Sequence, residues 1–203
     1  MNLVEAVKTA VTVALRNAID TEYPDDVLRK LRDNIEMEYP VDVESYPGIW
    51  VQFSIAEVKK AGVNPVHFDE ENHEYMMGQF KGTVTLAILG LTNLERDKIA
   101  GALINLYLFG RLNEAADDFH DSLASYPHVH IAVDQDELSG RGQTTTFGTP
   151  WDQTQLVYED GYSFRITGQF SSTFDRRTGQ TVVTSFSQVS DLATTPTDLG
   201  QWQ

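Results

Sequence analysis

The chain has 203 residues, 41% hydrophobic and 22% charged, which suits a single domain with a sizeable core. Thirty Asp and Glu against fifteen Lys and Arg give a formal net charge of −15, which argues against a protein that wraps nucleic acid or lies on anionic lipid. There is no cysteine, which excludes a disulfide framework, a thiol nucleophile and cysteine-ligated metals, and apolar runs such as Leu86-Ala87-Ile88-Leu89 are too short to span a bilayer.

Glu5 and Lys8 interrupt the apolar residues at the N-terminus, so it does not read as a secretory signal. Residues 2–19 read instead as an amphipathic helix, with Val4, Val7, Val11, Ala14, Leu15 and Ala18 at three- and four-residue spacing. Its valines lower helix propensity, so the stripe must be held by tertiary packing. Pro24 followed by Asp25 and Asp26 starts a second helix, which Val27, Leu28, Leu31 and Ile35 carry to about residue 36. Tyr39-Pro40 and Tyr46-Pro47-Gly48 are breakers around a short segment, Val41 to Glu44.

From Ile49 to Val58 the pattern changes to period two, and Gly62 to Asn72 reads as a loop. Gln79 to Leu89 is the clearest strand, with Phe80, Gly82, Val84, Leu86 and Ile88 on one face and Gln79, Lys81, Thr83, Thr85 and Ala87 on the other. That pattern predicts a sheet with one face buried. Thr92-Asn93-Leu94-Glu95 has the spacing of a capping box and opens a helix that runs to Gly110. A further helix over Asn113 to Ala124 and a short strand over His128 to Val133 follow.

Residues 134–154 read as an extended polar loop that includes Gly140-Arg141-Gly142 and Thr144-Thr145-Thr146, and loops of that length usually carry function or order against a partner. A hairpin comes next: Gln155 to Glu159, a two-residue Asp160-Gly161 turn, and a return through Tyr162, Phe164, Ile166, Gly168 and Phe170. Arg177-Thr178-Gly179 reads as another turn, before a strand from Thr181 to Val189. The expected organisation is one α+β domain over 1–189, a largely antiparallel sheet flanked by helices, followed by a polar C-terminal arm over 190–203.

Catalytic motifs are weak throughout. His128 and His130 share one face of a predicted strand, His120 lies nearby, and Glu114 to Glu137 holds seven carboxylates with no Lys or Arg. That segment is the candidate for an alternative function, a metal-binding protein or metalloenzyme using His120, His128 and His130. Asp134-Gln135-Asp136-Glu137 lacks the glycine and distal glutamate of a calcium loop, and Gly140-Arg141-Gly142 lacks the Gly-Lys-Ser/Thr ending of a phosphate loop. Adjacent carboxylates such as Glu70-Glu71 and Asp117-Asp118 read as solvated faces, and no Gly-x-Ser-x-Gly elbow occurs. The expectation is therefore a non-enzyme without a cofactor. Its long loop and arm offer Arg141, Thr145, Phe147, Trp151 and Trp202 as contacts to other subunits, tryptophan being enriched at interface hot spots.

These features together resemble the tail terminator proteins of long-tailed phages. An N-terminal helix leads to an extended strand, here Pro47-Gly48-Ile49-Trp50-Val51-Gln52-Phe53, and then to a second, Gly82-Thr83-Val84-Thr85-Leu86-Ala87-Ile88. A helix with a polar cap follows, Thr92-Asn93-Leu94-Glu95-Arg96-Asp97-Lys98, and a late hairpin over Leu156 to Phe170 completes the layout. The resemblance covers residues 1 to 170 and rests on order and texture. Asn113 to Pro150 and the arm are additions to it. The resemblance implies a structural virion subunit at the head–tail junction, a homo-oligomeric ring expected to be hexameric. Such a ring stops tail-tube polymerisation, docks the neck or connector protein, and passes DNA through its lumen without specific binding, with no membrane involved.

Overall fold

The computed structural model describes residues 2–22, 26–61, 66–68, 74–108, 114–140, 144–149, 151–175 and 180–184. Helix α1 spans Leu3–Glu22 and opens on a reciprocal cap. The Glu5 amide donates to Asn2 Oδ1 at 2.9 Å, and the Asn2 amide to Glu5 Oε2 at 3.3 Å. Its buried stripe is rich in small side chains (Ala6, Ala10, Ala14, Ala18), which lets neighbouring elements approach closely, and Val7, Val11, Leu15 and Ile19 fill the space between them.

Helix α2 is Asp26–Asp33, and strand β1, Ile35–Glu36, follows at once. The sequence carries this helix to residue 36. It stops at Asp33 because the Asn34 amide side chain donates to the carbonyls of Glu44 at 2.9 Å and Pro47 at 3.1 Å, and Ile35 pairs in parallel with Ile49. A 3₁₀ turn, Val43–Ser45, and a cis Tyr46–Pro47 bond precede strand β2, Gly48–Lys60.

Strand β3, Val66–Phe68, lies inside the segment read as a loop, and the rest of Gly62 to Asn72 is outside the described residues. Strand β4 is Glu74–Gly90, helix α3 is Asn93–Leu108 and helix α4 is Glu114–Ala124. The capping box forms as its spacing predicts: the Glu95 amide donates to Thr92 Oγ1 at 3.1 Å and the Thr92 amide to Glu95 Oε2 at 3.2 Å. Strands β5, Val129–Gly140, β6, Thr145–Gly148, β7, Leu156–Asp175, and β8, Gln180–Thr184, complete the described elements.

The eight strands form one sheet with the order β1-β2-β4-β7-β5. Its spine is the antiparallel β4–β7 ribbon, paired without interruption from Tyr75↔Thr173 to Gly90↔Tyr158. The outer edge of β7 is covered in succession by β6 at Leu156–Glu159, β5 at Tyr162–Phe170 and β8 at Ser171–Asp175. Only β1–β2 is parallel among the described pairs, so the fold is α+β with a largely antiparallel sheet flanked by helices.

Two sequence expectations are corrected here. Asp160-Gly161 is not a hairpin turn: β7 runs straight through it, Asp160 opposite Ile88 and Gly161 opposite Ala87. A two-residue turn preference is local, and pairing along the whole of β4 outweighs it; Arg96 Nε, 3.4 Å from Asp160 Oδ2, also holds that carboxylate from the side. Residues 134–154 are not one loop either. β5 continues to Gly140 past a register shift between Val133 and Leu138, and β6 pairs with β7, so among the described residues irregular backbone remains at Thr144 and in the turn around 149–155. The turn read at Arg177-Thr178-Gly179, the strand beyond Thr184, the helix end at Phe109 and Gly110, and the arm over 190–203 lie outside the described residues.

One face of the sheet carries the main core. Phe80, Val84, Leu86 and Ile88 of β4 meet Phe164 and Ile166 of β7 beneath the apolar sides of α1, α3 and α4. Phe53, Phe80 and Phe170 continue this core along the sheet, their rings 5.9 Å apart at 78° and 6.3 Å apart at 52°. The other face is polar over most of its length, where Thr85 and Ser163 share a 2.8 Å hydroxyl hydrogen bond.

Candidate functional site

The end of that second face is apolar. Leu89 of β4 and Val157 of β7 point away from the helices and are fully buried by Tyr46, with Tyr39, Trp50, Leu91 and Phe147 packed around them. Alternation along the strands places Trp50, Leu89 and Val157 there, while the breakers Pro40 and Pro47 fold the 39–47 segment back over them. The Tyr39 ring meets Trp50 edge-on at 5.2 Å and Phe147 at 6.2 Å.

The polar tips of Tyr46 and Trp50 are tied down. Tyr46 Oη donates to the Pro40 carbonyl at 3.1 Å, and Trp50 Nε1 to the Met37 carbonyl at 3.3 Å. Burial pushes both the Tyr39 and the Tyr46 hydroxyl above the ordinary phenol range, so both are neutral at physiological pH.

Trp151 sits on the outside of this cluster, its ring 5.2 Å from Tyr46 at 72°. Its indole N–H donates to Gln155 Oε1 at 3.0 Å. The turn that presents it is rigid: the Thr149 amide donates to the Gln155 carbonyl at 2.9 Å, the Asp152 amide to Thr149 Oγ1 at 3.0 Å, and Thr154 gives Asp152 Oδ1 both its amide and its hydroxyl. Those Thr154 bonds hold the Asp152 carboxyl below the usual range. Trp151 is 36% exposed, and Val41 and Val43, on the segment that wraps Tyr46, are 61% and 50% exposed. The result is a stiff apolar patch whose outer side chains face solvent.

Of the predicted contact residues, the structure brings Phe147 and Trp151 to this cluster. Thr145 is exposed on β6 opposite Glu159, and Arg141 and Trp202 lie outside the described residues. Sequence reading missed Tyr39, Tyr46 and Trp50; three aromatic residues within twelve positions, two of them beside prolines, were the available signal.

Among the described residues His120, His128 and His130 are not grouped as a ligand set. The His120 ring on α4 meets Phe119 at 5.3 Å, and His128, ahead of β5, meets Tyr126 at 5.7 Å. His130 lies on the polar face of the sheet, in a row with Gln169, Gln79 and Lys59, at a groove of about 630 Å3, where burial lowers its pKa below the ordinary imidazole value. Among the described residues no three His, Asp or Glu side chains are grouped to hold a metal ion. No helix among them is long and apolar enough to cross a membrane. No protein-family model matches the chain, and no curated protein matches it.

Proposed function

We propose that this chain is a structural virion subunit of the tail-terminator kind: a ring at the head–tail junction of a long-tailed phage that caps the tail tube and docks the neck. The observation that carries this reading is the patch around Tyr46 and Trp151. It is braced from behind by buried aromatics and hydrogen-bonded tips, and it presents Trp151, Val41 and Val43 outward, the make-up of a protein contact surface. The N-terminal helix, the strands β2 and β4 and the capped helix α3 agree with the resemblance already described, whereas its late hairpin over Leu156 to Phe170 is replaced by the continuous strand β7. The net charge of −15 suits a lumen through which DNA passes without adhering. Function in this reading is shape: one end of the ring continues the tube's interface and the other offers the neck a different surface.

Particle composition tests it. Purified virions are expected to contain the chain at a fixed low copy number per particle, and tails made without it are expected to vary in length. A chain absent from virions would contradict the reading.

A further inference from the structure

Among the described residues the sheet has two open edges, and their backbone polarity and side chains fit each other. Along β2 the Ile49 amide donates outward, to Asn34 at 3.0 Å, so Phe53 and Ile55 also turn their amides and carbonyls away from β4. The register shift between Ile55 and Glu57 resets that alternation, and the Ala61 amide donates inward to Met77 at 2.9 Å, so Val58 and Lys60 face outward beyond it. On β5 the His130 carbonyl points at β7, 2.6 Å from where a Cβ on Gly168 would stand. Ile131 and Val133 therefore face outward. Among the described residues no strand pairs with β2 beyond Trp50 on this side, or with the outer side of β5.

We infer that successive subunits of the ring join by antiparallel pairing of the β2 edge of one copy with the β5 edge of the next. This inference rests on the ring reading above. Three observations support it. Each step from β2 through β4 and β7 to β5 reverses the strand, so a rotated second copy presents β2 antiparallel to β5, as a head-to-tail ring requires. Ile55 and Val58, 40% and 50% exposed, stand along the open edge on the helix side of the sheet, the side to which Ile131 and Val133 contribute core contacts. Carrying the existing rows from one copy to the next sets Ile55 opposite Val133 and Val58 opposite Ile131, which extends the apolar layer across the junction.

The absence of native cysteine makes the test direct. Ile55→Cys/Val133→Cys, oxidised after assembly, is expected to give a ladder of disulfide-linked multimers that ends at the ring's own copy number, while each single variant gives none beyond dimer. Val58→Cys/Val133→Cys covers a pairing staggered by two residues and a first variant that folds poorly. A ladder from either pair supports the edge pairing. A protein that assembles to ring mass yet gives no ladder from either pair overturns it and leaves the ring reading standing. A wild-type chain that stays monomeric at every concentration overturns both.

Discussion

Phe80 and Gly168 face each other across the β4–β7 ribbon, and the Phe80 ring occupies the space that a side chain at 168 would need: a Cβ there would lie 2.5 Å from the ring and 2.6 Å from the His130 carbonyl. The same exchange recurs where Phe170 covers Gly78 and Phe53 covers Gly82, at 2.4 Å and 2.3 Å. Three rings thus fill the space above three glycines. Because the His130 carbonyl belongs to a paired strand and cannot withdraw, Gly168→Ala is expected to destabilise the fold by about 1–3 kcal/mol. Urea denaturation measures this, and an unchanged midpoint would contradict the packing described.

Gly101 gives the opposite sign. It lies exposed in the interior of α3 with nothing within 4 Å of a built Cβ. Gly101→Ala is expected to add roughly 0.5–1 kcal/mol of stability by restricting the unfolded chain and improving helix propensity. The same denaturation experiment checks it.

The cap on α3 is a third local device. Thr92→Ala or Glu95→Ala each breaks one half of the reciprocal pair, with an expected cost of about 1 kcal/mol. The double variant should cost less than the sum, since each half orients the other. Strict additivity in a double-mutant cycle would show that the two bonds act independently.

The aromatic cluster makes stability sensitive to alkali. Burial raises the Tyr39 and Tyr46 hydroxyls above their ordinary value of 10.0. The contribution of these groups is fully present below pH 10, where both folded and unfolded chains hold the protons, and is lost as the pH climbs towards the folded values. Tyr126 and Tyr162 shift the same way through burial and add to the slope. Denaturation midpoints measured between pH 8 and pH 11 (on the order of one unit either side of the phenol value) are expected to fall, and to fall less steeply in Tyr39→Phe. An identical slope in that variant would contradict the burial assigned to Tyr39.

Trp151 separates stability from contact. Its ring is only partly covered and its indole N–H bonds a neighbour on the same turn, so Trp151→Ala is expected to cost no more than about 1 kcal/mol in denaturation. Incorporation into particles should nonetheless drop sharply, as removing an interface anchor does. Normal incorporation of a stable Trp151→Ala protein would remove the patch from the contact surface.

Much of this architecture is written in short-range pattern. The 79–89 alternation, the Thr92–Glu95 spacing and the stripe of α1 all depend on neighbours within a few residues, and each appears in the structure where the pattern puts it. What eluded the sequence is non-local. Asp160-Gly161 carries a turn signal, yet β4 demands a partner strand of its own length. Likewise β5 continues past Val133 because β7 still offers it an edge. The patch was half legible: Phe147 and Trp151 stand out as aromatics in a polar stretch, whereas Tyr39, Tyr46 and Trp50 become a cluster only when β2, β4 and β7 bring Trp50, Leu89 and Val157 onto one face.

The central claim is that the chain works as one of several identical pieces closed into a ring. Light scattering of the purified protein across a range of concentrations tests it most directly, against a subunit mass of 22.8 kDa. The account predicts a single closed species at a fixed integer multiple of that mass, six on the tail-terminator resemblance. A particle that stays at the mass of one chain at every concentration would contradict it.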